Sequence, residues 1–111
     1  MLLSRSEFAN IRDGRREIVS DTLNELYQTI VSRKTNPSPN SYTAKLFAAG
    51  DVEIAKKVGE EAIEVIVASY KENDARLASE CADLLYHVLV LLAARNVEWD
   101  AVEKELEKRK K

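Results

Sequence analysis

Apolar positions recur along this chain at helical spacing, and their phase divides it into elements. Leu23, Leu26, Tyr27, Ile30 and Val31 fall at i, i+3, i+4, i+7 and i+8, one stripe of an amphipathic helix. Thr22 and Glu25 have capping-box spacing before it, with Ser20 or Asp21 as alternative caps. The stripe stops before Arg33 and Lys34, and Pro37 and Pro39 forbid a continuing helix across Thr35 to Asn40. Ser41 can cap a short helix to Ala49, closed by Gly50. Asp51 can then cap a long helix from Val52 to about Lys71, with Ile54, Val58, Ala62, Val65, Ile66 and Ser69 inward. After a turn at Glu72-Asn73-Asp74, a second long helix runs from about Ala75 to Arg95 on a stripe of Leu77, Cys81, Leu84, Val88, Leu91 and Leu92. Between Leu84 and Ala94 almost every face is apolar. Such a helix must be covered all round, so a partner chain is expected. A last helix, about Glu98 to Lys110, gathers Trp99, Val102 and Leu106 on one side.

These elements predict an all-α helical bundle built on two long antiparallel helices. Residues 1 to about 20 have mixed charge and weak periodicity. They read as a weakly ordered extension, with room for a short helix around Arg5 to Ile11; residues 21–111 form the domain. At 111 residues the chain is one domain, and three Gly and two Pro leave too little turn chemistry for a β-sandwich. A net charge of −2 disfavours nucleic acid, and the basic run Lys108 to Lys111 reads as a solvated helix end that suits the dipole. Cys81 and His87 are each alone, so neither an internal disulfide nor a Cys/His zinc site is available. A reducing, cytoplasmic setting follows as the expectation. The longest apolar run, Val88 to Ala94, falls short of a membrane span, and the first residues lack the apolar core of a secretory signal.

The acids of the two long helices carry the chemistry. Glu60, Glu61 and Glu64 span about 100° of arc with Lys57 among them, beside the apolar stripe. Glu80 and Asp83 lie similarly on the second helix, with His87 one turn on. In an antiparallel hairpin, residues whose numbers share one sum lie level. Glu61 with Asp83, Glu64 with Glu80, and Lys57 with His87 all share one sum, whose midpoint Glu72 falls in the turn. Four carboxylates should therefore line one small volume. Lys56 and Lys57 offset only part of that repulsion; a hard divalent cation offsets most of it. Mg²⁺ takes oxygen ligands, keeps waters and bridges carboxylates to phosphates, which suits phosphoanhydride hydrolysis. A solvated face with i, i+4 pairs explains the first helix alone equally well; the level match with the second helix is what favours a metal. A di-iron bundle is excluded, because it needs two Glu-x-x-His motifs and the residue three before His87 is Leu84.

Other positions are open. Gly59 costs stability in mid-helix and marks either a close approach or a tolerated defect. Tyr86, Trp99 and Cys81 read as core, and His87 as a core or interface histidine bonded to a neighbour.

The stretches SYTAKLFAAG at 41–50, IAKKVGEEAIEVIVA at 54–68 and ASECADLLYHVLVLL at 78–92 resemble the phosphoribosyl-ATP pyrophosphatase family of histidine biosynthesis. That family belongs to the all-α, MazG-like nucleotide pyrophosphatases. The resemblance runs from about Asp21 to Arg109, and Glu61-x-x-Glu64 with Glu80-x-x-Asp83 fits the superfamily's metal motif. It implies Mg²⁺-dependent hydrolysis of phosphoribosyl-ATP to phosphoribosyl-AMP and pyrophosphate, in a bundle completed across a homodimer. The implied metal ligands are Glu61, Glu64, Glu80 and Asp83. Glu60, Glu61 and Glu64 are the candidates for catalytic acid–base work. Ser41, Tyr42, Thr43, Lys45, Lys57 and His87 are candidates for holding substrate, the first four at a helix start that favours anions. A general nucleoside triphosphate pyrophosphatase is the competing enzyme, and a helical dimerisation module the competing non-enzyme.

Overall fold

The computed structural model describes residues 15–110, with side chains from Thr22 onward. The described residues form five helices: α1 (Arg15–Thr35), α2 (Tyr42–Ala49), α3 (Asp51–Lys71), α4 (Asp74–Ala94) and α5 (Trp99–Lys108). No strand occurs among the described residues, so the architecture is all-α. The expected short helix around Arg5 to Ile11 lies outside the described residues. α1 starts at Arg15, ahead of the anticipated cap at Ser20 to Thr22. Arg and Glu at 15–17 are good helix formers, and propensity carries a helix back past the start of its apolar stripe.

The connections follow local chemistry. Pro39 sits second in a tight turn closed by Ser41 N–H donating to the Ser38 carbonyl at 3.0 Å. The Ser41 hydroxyl then accepts from Ala44 N at 3.1 Å and caps α2. Gly50 closes α2 and opens α3 at φ 100°, ψ 169°, a conformation only glycine adopts readily. Asp51, expected as the cap, is instead the first helical residue, where its charge favours the helix dipole. Asn73, in the expected turn, caps α4, its side chain accepting from Arg76 N at 2.9 Å.

α4 ends in a Schellman motif. Asn96 takes φ 59°, Val97 N–H donates to the Leu92 carbonyl at 2.9 Å, and Asn96 N–H donates to Ala93 at 3.1 Å. α1 ties down this end: Lys34 Nζ donates to the Ala93 carbonyl and Asn96 Oδ1, and the Tyr27 hydroxyl donates to the Val97 carbonyl at 2.7 Å. The core therefore sits around the C-terminal half of α4. Tyr27, Ile30, Leu46, Ile54, Leu89, Val90, Ala93 and Trp99 meet there from all five helices. Burying one of the aliphatic members contributes about 1.5–3 kcal/mol.

The inward faces overlap the expected stripes and turn away at their edges; on α3, Val58, Ala62 and Val65 are half-buried in line with Ile54. On α3, Ile54 and Ala68 are buried, whereas Ile66 (54% exposed) and Ser69 face outward. On α4, Leu89, Val90 and Ala93 are fully covered and the expected leucine stripe is half-buried, because α1 and α2 pack beside α3 around this helix. The chain itself thus covers most of Leu84 to Ala94, leaving Leu85 exposed. The larger uncovered apolar face is on α3: Val52, Ile63, Ile66, Val67 and Tyr70. By length and composition alone α4 could cross a membrane; here it packs within the bundle and buries Glu80 and His87.

Candidate functional site

α3 and α4 form a hairpin through the Glu72–Asn73 turn, and midway along it their acids converge. Glu61, Glu80 and Asp83 present carboxylate oxygens that all lie within 4.8 Å of one another. Glu61 belongs to the α3 face that carries the buried Ile54 and Ala68, seven residues from each, two turns that return to nearly the same side. Glu64 lies about 60° further round the helix and is exposed, which puts it on the flank of this trio. Glu60, further round still, pairs with Lys57 at 3.5 Å.

Glu80 is buried at 6% exposure among like charges. Burial pushes its carboxyl above the usual glutamate value. Arg76 opposes that shift, and Asp83, Glu64 and Glu61 add to it. Arg76, one turn before Glu80, donates to Glu80 Oε2 in a short contact and also reaches Glu72 at 3.5 Å. Lys57 stands 3.7 Å from Glu61 Oε2. Tyr42 is the largest influence holding Lys57 above the ordinary lysine value, followed by opposing desolvation and then by Glu60 and Glu61.

A polar relay links α2 to this centre. His87 Nδ1 lies 2.7 Å from the Asp83 carbonyl, which can only accept, so Nδ1 carries the proton. In the neutral ring Nε2 is then an acceptor, and the Tyr42 hydroxyl donates to it at 3.0 Å. Thr43 Oγ1 and the Tyr86 hydroxyl share a short hydrogen bond, and burial raises the Tyr86 pKa. Tyr42 stacks on Tyr86 at 6.2 Å, and His87 meets Tyr86 edge-on at 4.9 Å. The start of α2 is thereby fixed against the helix turn that carries Asp83.

An all-oxygen set of three clustered carboxylates, one of them buried among like charges, fits a hard divalent cation. Softer metals would ask for His or Cys, but His87 has both ring nitrogens engaged within the chain.

The family model described as phosphoribosyl-ATP pyrophosphohydrolase matches residues 23–110. This chain belongs to the phosphoribosyl-ATP pyrophosphohydrolase family. The phosphoribosyl-ATP pyrophosphatase of Listeria welshimeri is 54% identical over 87 residues, which cover 78% of this chain and 84% of that protein. The one from Trichlorobacter lovleyi is 55% identical over 87 residues, covering 78% and 81%. The histidine biosynthesis bifunctional protein HisIE of a Nostoc species is 46% identical over 91 residues; the match spans 82% of this chain and 42% of that longer protein.

In this pyrophosphohydrolase-family chain, the residues expected at the site fall into three groups. Glu61, Glu80 and Asp83 are brought together, with Glu64 on their flank. Tyr42, Thr43, Lys57 and His87 line up beside them through the contacts above, and Ser41 acts as the helix cap. Lys45 is exposed and makes no ion pair among the described residues. Gly59 answers to no close approach among the described residues, since a Cβ there would meet nothing of them within 4 Å. Arg76 and Tyr86 were missed as site neighbours. The i, i+4 spacing of Arg76 and Glu80 was the available signal for the first; nothing in the sequence pairs Tyr86 with Thr43.

Proposed function

We propose that this family member hydrolyses phosphoribosyl-ATP to phosphoribosyl-AMP and pyrophosphate, the second step of histidine biosynthesis, with Mg²⁺ held by Glu61, Glu80 and Asp83. The observation that carries the metal assignment is the convergence of these three oxygens from two helices. When bound, Mg²⁺ would neutralise triphosphate charge and stabilise the departing pyrophosphate. The remaining work belongs to the chain. Glu64, exposed on the flank and without an ion pair among the described residues, would accept the proton of the attacking water, or close the ligand set after turning its side chain. Glu60 pairs with Lys57 and remains the other candidate base beside the site. Lys57 supplies a positive charge beside the acids for a phosphate. The Tyr42–His87 bond keeps the start of α2, with Ser41, Thr43 and Lys45, at a fixed position where ribose or phosphate can bind.

The uncovered apolar face of α3 supports a homodimer, since scattered residues are ordinary but a run along one helix is not. The free Cys81 and the small nucleotide substrate go with a cytoplasmic enzyme that binds neither nucleic acid nor membrane. The test is pyrophosphate release from phosphoribosyl-ATP, with and without Mg²⁺, against dUTP, dCTP and ATP. Mg²⁺-dependent release strongest with phosphoribosyl-ATP is expected. Faster release from the ordinary triphosphates would favour a general pyrophosphatase, and no release from any would reject the proposal.

A further inference from the structure

The acidic trio is not bare, because two basic side chains hold it in different ways. Arg76 takes Oε2 of Glu80 in a tight contact. A carboxylate has two oxygens, so the other remains for an ion. The second partner of Arg76, Glu72, lies one turn toward the hairpin end, away from the trio, and both contacts can persist with an ion in place. Lys57 differs. It lies 3.7 Å from Glu61 and 3.5 Å from Glu60, beyond the ~2.7–2.9 Å of a close charge-assisted bond, and its side chain is 33% exposed. Its loose partner Glu61 is one of the three clustered acids and is only 15% exposed. Asp83, the third acid, makes no ion pair among the described residues.

We propose that Lys57 is a stand-in cation: it neutralises Glu61 until a divalent ion binds, and is then released to the polyphosphate that the ion brings. This rests on the metal-site reading above. Once Glu61 belongs to a cation, its charge no longer holds an ammonium, and the two positive charges repel. Glu60, outside the trio, keeps Lys57 at the edge of the site during the exchange. The new anion nearest to it is then the phosphate chain. The arrangement makes metal and nucleotide binding mutually reinforcing, since the metal-free enzyme must give up an internal ion pair to take the metal, and recovers an equivalent one only with nucleotide present.

The exchange predicts effects of opposite sign without and with nucleotide, which a merely structural lysine does not produce. Mn²⁺ binding to the full chain is read from the free-ion electron paramagnetic resonance signal, without and with α,β-methylene-ATP, which cannot be cleaved between its first two phosphorus atoms. Lys57→Met should bind Mn²⁺ alone about tenfold more tightly, the size expected for removing one unit charge a few ångströms away in a partly wetted groove. With the nucleotide present that advantage should vanish or reverse, and Lys57→Arg should restore the behaviour of the unaltered chain. Equal or weaker binding of Mn²⁺ alone to Lys57→Met, with binding to the unaltered chain intact, overturns the exchange. If Glu61→Gln leaves Mn²⁺ binding unchanged, the metal-site reading itself fails and the exchange falls with it.

Discussion

Neutralising Asp83 should stabilise the metal-free protein and destroy what the metal adds. Asp83→Asn keeps the shape and removes one charge from a trio whose oxygens lie within 4.8 Å of one another. A pair of unit charges at that spacing repels by about 1–2 kcal/mol at an effective dielectric of 40–80. Asp83 is exposed and screened by salt, so a gain of about 1 kcal/mol in metal-free stability is the expectation. The substitution spares the His87 contact, which uses the Asp83 backbone carbonyl rather than its carboxylate. Saturating Mg²⁺ at about one hundred times its Kd should add about 2.7 kcal/mol to the unaltered protein, and little to the variant. The variant is thus more stable without Mg²⁺ and less stable with it. Urea unfolding followed by circular dichroism, at one protein concentration, reads both numbers. A variant less stable without Mg²⁺, or one that Mg²⁺ stabilises as much as before, refutes the reasoning.

Three further outcomes are expected. Because the Glu80 pKa is raised in the folded chain, protonation there begins while pH is still above the usual carboxylate range. Metal-free stability should rise as pH falls through that raised value toward the ordinary glutamate value, and the melting-temperature gain from Mg²⁺ should shrink over the same window; a gain that holds down to the ordinary value contradicts this. Gly50→Ala should lower stability by about 1–3 kcal/mol, since φ 100° excludes a side chain even though the space around it is open; an unchanged urea midpoint contradicts it. If the proposed homodimer forms through the uncovered face of α3, light scattering should give a dimer for the unaltered protein and a folded monomer for Ile66→Glu; a monomeric unaltered protein, or a variant dimer of unchanged affinity, contradicts it.

The sequence made the hairpin legible because charge and periodicity agreed there. Level residues on two antiparallel helices had to face each other, and Glu61 and Asp83 do. Ser41 and Gly50 were readable because caps depend on one residue and its neighbours. Rotation of the helices was less readable. α4 is apolar on so many faces that periodicity could not choose between packing against α3 and packing against α1 and α2. On α3, Ile66 lies at the edge of the apolar stripe, where periodicity alone cannot separate a covered position from an exposed one. Glu64 shows the same limit on a finer scale, because level pairing fixes height along the hairpin and says nothing about the 60° that takes it to the flank. The contacts of Tyr42 with His87 and Thr43 with Tyr86 join residues more than forty positions apart, and only tertiary packing decides them.

The most direct test is the anomalous signal of Mn²⁺ in crystals grown with that ion and phosphoribosyl-AMP. A peak within about 2.0–2.3 Å of oxygens from Glu61, Glu80 and Asp83 is predicted, with phosphate oxygen and water as the remaining ligands. A peak held by other residues, or none at saturating Mn²⁺, would contradict the account.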